Sequence, residues 1–569
     1  MRRSRCAREA ATMVRLSWAP ARLQPQLVSR RQVRGLASQA ASNAGGKQVA
    51  VIGGGLTGLT TAYLLAKNLP ASARITLYES GDRLGGWIRT DKVPVDVNGT
   101  KGVVRFERGP RTLSSLRGNA WRYDDLVLYE LMLDLGLKLS YPKDLPRYLY
   151  YPDHIVKMPP DASLLGCLAE PLFRECIWGA MGTAAAFVTG RHRDKIPVAD
   201  LSVADWLRHI TGSGTVGDNL VSAMIHGIYG GDIDRLSARS VLDRMYYNLH
   251  LPPAAKGQRH VPAHEMVFME RMTKDPMICA EANRPKGSLI HFGAHGMESL
   301  PRALEDALTG QPNVTIRRQS PVHHISYRKD EDKVQVTGKD LQQTYDHVVS
   351  TTSSDTLVES TGDALSTLSG IESVSIMTVN LWYPVENMKP PGFGYLIPRA
   401  LPAAQNPERA LGVFFDSDVI GERAPNEPPG TKLFVLMGGH HYRGRDPPSE
   451  AEAVDQAKAL LERHLGIPRD TPCHAMARFA KDCIPQHNVG HVELLRHAGQ
   501  QIAEEFGGRL SVANGSYGRI GAMGALRNAY GAAFNIIEDQ GRCGLENFAS
   551  DVHIVDVPTA KILCRQPRE

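Results

Sequence analysis

The chain has few features of a metal-binding or disulfide framework. Its eight cysteines stand singly along 569 residues and form no C-x-x-C pair, which argues against zinc ribbons and paired redox cysteines. Two adjacent histidine pairs occur, His323-His324 and His440-His441. Because neighbouring residues of a strand point to opposite faces, we expect neither pair to bind a metal jointly. The sequence therefore predicts no metal site.

Long apolar runs are also absent. The uncharged stretch Cys176–Gly190 has 15 residues, fewer than the roughly 18 to 20 that cross a bilayer as a helix. Two interpretations stay open for it. It is either a core helix or, together with the amphipathic stretch Leu164–Phe173, a patch that lies in a membrane interface.

Acidic residues are almost missing from the beginning of the chain. Residues 1–46 contain nine arginines, no lysine and one acid, Glu9, whereas the remainder has 57 basic and 59 acidic residues. An Arg-rich, acid-poor start without an apolar core is typical of a mitochondrial transit peptide and not of a secretory signal. We expect residues 1–36 to be removed. The alternative is a basic arm for nucleic acid, but no basic, aromatic-interleaved surface follows it, and we expect no nucleic-acid partner.

The overall composition is that of a folded protein. With 42% hydrophobic and 22% charged residues, the chain is neither disordered nor collagen-like nor a coiled coil. At about 150 residues per domain, its length predicts three or four structural units.

A nucleotide-binding pattern follows the leader. The apolar run 48–52 predicts a strand that ends at Gly53-Gly54-Gly55-Leu56-Thr57-Gly58, a G-x-G-x-x-G sequence, and apolar residues at helical spacing come next. A second predicted strand, 74–78, ends at Glu79. The glycines allow a tight turn and close approach of a pyrophosphate, and the acid can bind ribose hydroxyls. This context predicts a dinucleotide site, although NAD and FAD are not distinguished by it.

The next loop, 82–89, contains Arg83, a second glycine pair and Trp87. With this R-x-G-G sequence the chain resembles the flavoprotein amine oxidase superfamily, and the resemblance extends over about residues 47–537. Further motifs occur in the order found in the members that oxidise porphyrinogens. They are Phe106–Arg111, Pro146–Tyr150, Gly227–Asp232, Phe292–Pro301, Gly392–Pro398 and Cys483–His491.

The resemblance implies an α/β fold with three parts. These are a Rossmann-type FAD-binding domain assembled from discontinuous segments, a sheet-rich substrate domain and a helical membrane-facing domain. The implied boundaries are 47–117, 285–374 and 505–540 for the FAD-binding domain, 118–250 for the helical domain and 375–500 for the substrate domain. Residues 541–569 lie beyond the resemblance.

One non-covalent FAD per subunit is implied. The residues assigned to it are Gly53, Gly54, Gly55, Leu56, Thr57, Gly58, Glu79, Ser80, Arg83, Gly86, Trp87, Gly109, Pro110, Arg111, Thr112, Val322, Ile520, Gly521, Ala522 and Met523. Arg111 is expected to hold the backbone beside the flavin. The apolar sequence Ile520–Leu526 and Val492 depart from the family pattern, in which polar and aromatic residues respectively are usual.

The implied reaction is the oxygen-dependent, six-electron oxidation of protoporphyrinogen IX to protoporphyrin IX with release of hydrogen peroxide, the penultimate step of haem biosynthesis. Because the cofactor supplies the redox chemistry, we expect no catalytic side chain. Arg147 is assigned to a propionate carboxylate, and Phe393, Leu396, Leu436 and Gly227 are assigned to the macrocycle. The implied partners are the mitochondrial inner-membrane surface, bound peripherally, together with ferrochelatase and a second copy of the chain.

Three alternatives share this fold. An amine oxidase of the family often carries a cysteine for covalent flavin, which 513–517 lacks. A carotenoid-type desaturase fits the region around Arg147 and the I-P-Q motif less well. A flavin-free protein of the GDP-dissociation-inhibitor type would be expected to have a degraded cofactor loop, whereas Glu79 and Arg83 are both present.

Overall fold

A computed structural model gives the architecture of residues 46–548, apart from 143, 161–163, 194, 255, 257, 421, 422 and 425, and of residues 554–558. The proposed leader, 1–36, lies outside these residues. In chain order, the strands are β1 (Gln48–Ile52), β2 (Arg74–Tyr78), β3 (Thr90–Val97), β4 (Thr100–Glu107), β5 (Leu113–Ser114), β6 (Arg147–Tyr150), β7 (Ile155–Met158), β8 (Gln258–Pro262), β9 (Leu289–Ile290), β10 (Val314–Arg317), β11 (Val322–Arg328), β12 (Lys333–Gly338), β13 (Leu341–Tyr345), β14 (His347–Ser350), β15 (Ser373–Tyr383), β16 (Gly394–Leu396), β17 (Ala410–Phe414), β18 (Thr431–Gly438), β19 (His474–Pro485), β20 (Leu510–Val512) and β21 (Ile554–Pro558).

The helices follow the same order. They are α1 (Leu56–Asn68), α2 (Asp125–Asp134), α3 (Leu164–Ala169), α4 (Pro171–Thr189), α5 (Val203–Thr211), α6 (Ser222–Tyr229), α7 (Ala238–Val241), α8 (Asp243–His250), α9 (Glu265–Met272), α10 (Pro276–Ala282), α11 (Ser299–Thr309), α12 (Ser354–Ser360), α13 (Asp416–Val419), α14 (Glu450–Leu465), α15 (His491–Phe506) and α16 (Gly521–Ile537).

A parallel sheet forms the cofactor half of the molecule. Its strand order is β10-β2-β1-β14-β20, and every neighbouring pair is parallel. The strands come from three separated parts of the chain because parallel neighbours need long crossover connections. Val49, Ala50 and Val51 are fully buried, as expected for a strand covered on both faces. The predicted α/β class is confirmed, with an FAD-type sheet built from distant segments.

A second sheet forms the other half. Its order is β19-β15-β18-β17-β16-β6-β7, and it is antiparallel except where β6 runs parallel to β16. Strands β6 and β7 lie inside the range 118–250, for which the resemblance implied a helical domain. That expectation is wrong for them, since their backbone groups extend the substrate-side sheet.

The remainder of the range 118–250 also divides. Helix α2 packs into the core of the cofactor half through Leu126, Val127 and Leu128. Helices α5, α6 and α8 instead share a cluster around Trp206. The range 118–250 therefore contributes to the cofactor half, to the substrate-side sheet and to the cluster around Trp206. Each element packs where its apolar face is buried, and closeness in the sequence does not decide this.

Helix α4 includes most of the uncharged stretch Cys176–Gly190. Its buried residues include Cys176 and Gly179, whereas Trp178 is 73% and Val188 84% exposed, and Met181 and Phe187 are exposed as well. The core-helix interpretation is wrong, since the larger apolar side chains point away from the protein. No helix within the described residues is long and apolar enough to cross a bilayer.

Candidate functional site

The loop between β1 and α1 has the geometry that a pyrophosphate needs. Gly53 has a φ of +103°, a conformation that side chains disfavour. A Cβ on Gly58 would lie 1.8 Å from the Gly53 carbonyl oxygen, so α1 can pack against the loop only with glycine there. No side-chain hydrogen bond caps the start of α1 within the described part of the chain. Its first N–H groups are consequently available to an anion.

A second glycine loop faces the first across an open cradle. The Gly85 amide donates to the Gly54 carbonyl (2.8 Å), and Gly85 and Gly86 both have positive φ. A Cβ on Gly55 would meet no protein atom closer than 3.9 Å, the Gly86 Cα. Among the residues that the structure describes, no side chain enters the space above Gly55, which is bounded by backbone. These residues fit the pyrophosphate of FAD.

Glu79 directly follows β2 beside this cradle. Its carboxylate accepts hydrogen bonds from the amides of Gly54 and Gly81, both at 2.7 Å, and from the Ser80 hydroxyl at 3.3 Å. A carboxylate has about four acceptor positions, so ribose hydroxyls can share it. Glu79 therefore ties the two loops together and stays available to the ribose.

Arg83 has a different role in the structure from direct phosphate binding. Its guanidinium donates to the carbonyls of Leu84 (3.0 Å) and Ile88 (3.2 Å) and to that of Gly86. These bonds hold the second glycine loop in its curved shape. A phosphate contact by Arg83 stays a prediction.

The Gly109-Pro110-Arg111-Thr112 turn packs against that loop. A Cβ on Gly109 would lie 2.2 Å from the Trp87 carbonyl oxygen. Arg111 is 8% exposed, and it pairs with Asp416, which is 2% exposed, at 2.7 Å. Its guanidinium also donates to the Gly109 carbonyl (3.0 Å) and lies 3.3 Å from the Phe434 ring centroid. This side chain supports the backbone, as expected, and joins the cofactor half to the substrate-side sheet.

Glu107, which precedes this turn, is a buried acid. It accepts hydrogen bonds from the Thr90 hydroxyl (2.8 Å) and the Met297 amide (3.1 Å). Burial raises its pKa to about 7, although these hydrogen bonds oppose the shift. Glu107 thereby connects two of the sequence motifs.

The remaining residues assigned to the cofactor lie at the start of strand β11 and at the start of helix α16. Val322 begins β11, and the residues before it approach Glu79: the Ser320 amide donates to the Glu79 carbonyl at 2.9 Å. Ile520 precedes α16, whose first residues are Gly521, Ala522 and Met523. Gly521 has a φ of +84°, and within the described residues no side chain caps this helix. The helix start can therefore stabilise negative charge despite its apolar sequence.

The substrate assignments meet on one face of the seven-stranded sheet. Leu396, Gly412 and Leu436 are direct neighbours across β16, β17 and β18. Arg147 pairs with Gly394 two residues away on the same face. Gly227 on α6 closes against this face, since a Cβ there would lie 2.8 Å from the Leu396 side chain.

Arg147 stands at the open edge of the face. It is exposed, its guanidinium lies 5.3 Å from the Phe393 ring centroid, and it donates to the Ser288 hydroxyl at 3.3 Å. Across the part of the chain that the structure describes, no carboxylate lies within ion-pair distance of it. The residue offers a charge to an incoming anion.

Two residues of this face escaped the sequence reasoning. The cross-strand row continues from Leu436 to Thr378 and Arg478, and the Arg478 guanidinium lies 5.5 Å from the Trp87 ring centroid. Burial lowers the pKa of Arg478, and the charges of Arg83 and Arg89 lower it further. Alternation along β19 could have indicated its face, but nothing in the sequence pairs β19 with β15.

The histidine pair His440-His441 also behaves differently from expectation. It lies in a 3-10 turn, 439–442, and not in a strand. Its two rings are 3.9 Å apart and both lie beside His226. The argument that the two side chains point to opposite faces is therefore wrong, because it assumed strand geometry.

The fold and the cradle define a class, the two-domain flavoproteins of amine oxidase type. The model of the family described as flavin containing amine oxidoreductase matches residues 56–504. The chain belongs to that family, and its cofactor is FAD. Within it, the chain belongs with the protoporphyrinogen oxidases. The protein of that name from Schizosaccharomyces pombe is 31% identical over 85% of this chain and 97% of its own, and the one from Homo sapiens is 27% identical over 86% and 98%.

Two further comparisons mark the range of the family. A coproporphyrinogen III oxidase from Staphylococcus aureus is 24% identical over 87% of this chain and 99% of its own. The crystal structure of a putative protoporphyrinogen oxidase from Exiguobacterium superposes with a TM-score of 0.62 at 21% identity, over 87% of this chain and 99% of its own. The structural likeness shows the fold.

Proposed function

We propose that this protein oxidises protoporphyrinogen IX to protoporphyrin IX, with molecular oxygen as electron acceptor and hydrogen peroxide as product. The observation that carries the proposal is the apolar sheet face of Leu396 and Leu436, with the unpaired Arg147 at one edge and Arg478 against the cofactor loop at the other. Such a face fits an apolar macrocycle with acidic side chains. One FAD, held non-covalently by the glycine loops 53–58 and 85–86 and by Glu79, would supply the two-electron oxidation that each macrocycle needs three times.

The side chains of the site bind and orient. Arg147 pairs with a propionate carboxylate, for which a planar guanidinium is well suited. Phe393, Leu396 and Leu436 pack on the macrocycle and exclude water from it, and Gly227 allows its close approach. The Arg111–Asp416 pair keeps the two halves in register, so that the substrate lies over the cofactor loop.

Porphyrin fluorescence tests the reaction directly. The FAD-loaded protein and protoporphyrinogen IX should yield protoporphyrin IX in air, with three molecules of peroxide per porphyrin. Removal of oxygen should halt the turnover. Coproporphyrinogen III is the competing substrate to compare. The proposal is wrong if neither FAD nor oxygen affects porphyrin formation, and a clear preference for coproporphyrinogen would reassign the substrate.

We infer a mitochondrial location, with peripheral attachment to the inner membrane. The acid-poor, Arg-rich leader supports import, and the exposed apolar side chains of α4, Trp178, Met181 and Val188, support an interface. Deletion of residues 1–36 should abolish import and leave activity in vitro unchanged. Replacement of Trp178 and Met181 by serine should release the protein from inner-membrane vesicles. Retention through a carbonate wash would contradict peripheral attachment.

We also propose that the protein forms a homodimer and contacts ferrochelatase, because the family resemblance implies both partners. Sedimentation of the FAD-loaded protein tests the first, and co-sedimentation with purified ferrochelatase tests the second. A monomer at micromolar concentration, or independent sedimentation of the two enzymes, would remove the respective partner.

A further inference from the structure

Three histidines from separate parts of the chain converge beside the proposed substrate face. His226 lies on α6, and His440 and His441 lie in the turn 439–442 that follows β18. The His226 ring is 5.0 Å from that of His440 and 5.6 Å from that of His441. One ring nitrogen from each histidine lies within 4.8 Å of the other two. We name these residues the histidine triad.

The ring nitrogens of the triad are prepared to act as ligands. Nδ1 of His226 donates to the Ile397 carbonyl at 2.7 Å, which leaves the lone pair of Nε2 free. His440 makes a similar, longer contact from Nδ1 to the Gly230 carbonyl at 3.3 Å. Carbonyl acceptors of this kind commonly orient metal-binding histidines.

The triad has a route to solvent. His440 lines a cavity of about 250 Å³ together with Asp232 and Gly439. The negative charge of Asp232 favours a cation at His440. The nearby Arg399 is itself paired with Asp218 (2.7 Å) and Asp234 (2.6 Å), so its charge opposes a cation less.

We propose that His226, His440 and His441 form a binding site for a divalent transition-metal ion, with Zn²⁺ as the type case. Imidazole nitrogen is a preferred ligand of zinc, and three histidines leave a fourth position for water or another ligand. Zn–N bonds of about 2.0–2.1 Å require the ligand nitrogens to lie roughly 3.3 Å apart, so binding would draw the three rings closer than their present spacing of up to 4.8 Å. Binding of the ion does not require the proposed oxidation to take place.

Occupancy of the triad also acts on the substrate face. His226 is followed by Gly227, which lies against the Leu396 side chain. Ile397, the residue after Leu396, provides the carbonyl that orients the His226 ring. A bound ion joins α6 to the turn 439–442 and so fixes the helix that closes this face.

Equilibrium dialysis of the FAD-loaded protein against ZnCl₂, with metal counted by mass spectrometry, tests the site. The natural chain should bind one Zn²⁺ per subunit, and a chelator should remove it. His440→Gln with His441→Gln should weaken binding by at least about 10-fold, since loss of a ligand costs no less than loss of a group that is hydrogen-bonded to one. The matched control is His323→Gln with His324→Gln, the exposed adjacent pair of β11, which should bind as the natural chain does.

A second measurement separates metal binding from folding. Zn²⁺ should raise the thermal unfolding temperature of the natural chain and of the control, and it should not raise that of the triad variant. The single variant His441→Gln serves if the double variant loses FAD, since the His441 ring contacts His226 and His440 but makes no hydrogen bond within the described residues. Absence of bound zinc in the natural chain at 100-fold molar excess, or equal binding by the triad variants, would overturn the proposal.

Discussion

The two large sheets of this protein differ in how far apart along the chain the residues of their sites lie. The centre of the cofactor site in the parallel sheet is one short segment, 53–58, in which Gly53 has a positive φ and a Cβ on Gly58 would clash with the Gly53 carbonyl oxygen. The antiparallel sheet presents its site through residues from β6, β16, β18 and β19, which are neighbours only across strands. The cofactor site therefore depends on local backbone shape, and the substrate site depends on strand register.

The largest expected effect tests the local character of the cofactor site. Gly55→Val should fold, since the nearest protein atom to a new Cβ is 3.9 Å away, but the side chain occupies the space of the pyrophosphate. FAD content of the purified protein should fall below about a tenth of stoichiometric. Visible absorption measures it.

Gly58 and Gly310 provide the controls for this variant. Gly58→Ala should destabilise the fold itself because its Cβ would lie 1.8 Å from the Gly53 oxygen, whereas Gly310→Ala, with 3.8 Å of space, should leave FAD binding unchanged. A yellow, fully loaded Gly55→Val protein would show that the cradle is misplaced.

The second prediction concerns the ion pair that joins the two sheets. Arg111→Leu leaves Asp416 buried without its partner, which should lower the free energy of unfolding by about 3–5 kcal/mol. Urea unfolding, followed by circular dichroism, measures the loss. The exposed pair Arg423–Glu386 is the comparison, and Arg423→Ala should cost less than about 1 kcal/mol. Similar losses in both variants would argue against a special link between the halves.

The third prediction compares the acid sensitivity of the two regions. His347 begins β14 of the parallel sheet, and His464 lies in α14 of the other half. Burial lowers the pKa of His347 to about 3 and that of His464 to about 4. The unfolded chain takes up these protons near pH 6.5 while the folded chain does not, so stability is lost as pH falls below that value. At pH 5 each histidine should cost about 2 kcal/mol.

Variants isolate each contribution. His347→Gln can keep the hydrogen bond to the Ser511 hydroxyl, now 2.8 Å from the imidazole, and it should reduce the difference between urea unfolding at pH 7 and pH 5 by about 2 kcal/mol. His464→Gln should do the same from the other half. Unchanged pH dependence in a variant would mean that its histidine is protonated in the folded state.

The smallest effect concerns Arg147, at the edge of the substrate face. Because this side chain is exposed, solvent screens its charge, and Arg147→Ala should raise KM about 10-fold, on the order of 1.4 kcal/mol. FAD content should stay normal, and Arg147→Lys should fall between the two. Esterified propionates should abolish the difference between Arg147→Ala and the natural chain. Equal sensitivity to acid and ester substrates would remove the carboxylate assignment.

Much of the cofactor half could be predicted because its signals are short-range. The strand ends at Ile52 and Tyr78 lie where the apolar runs stop, and the glycine pattern places Gly54 and Glu79 together through one βαβ unit. Each of these depends on residues that are close in the chain.

Only the tertiary structure decided the features that depend on distant partners. It turned Arg83 towards backbone carbonyls, placed β6 and β7 in the substrate-side sheet and brought Arg478 against Trp87. It also brought His226 to the pair His440-His441. The physical reason is the same in each case: backbone propensity and glycine sterics act within a few residues, whereas strand register and the burial of a helix face are set by the whole fold.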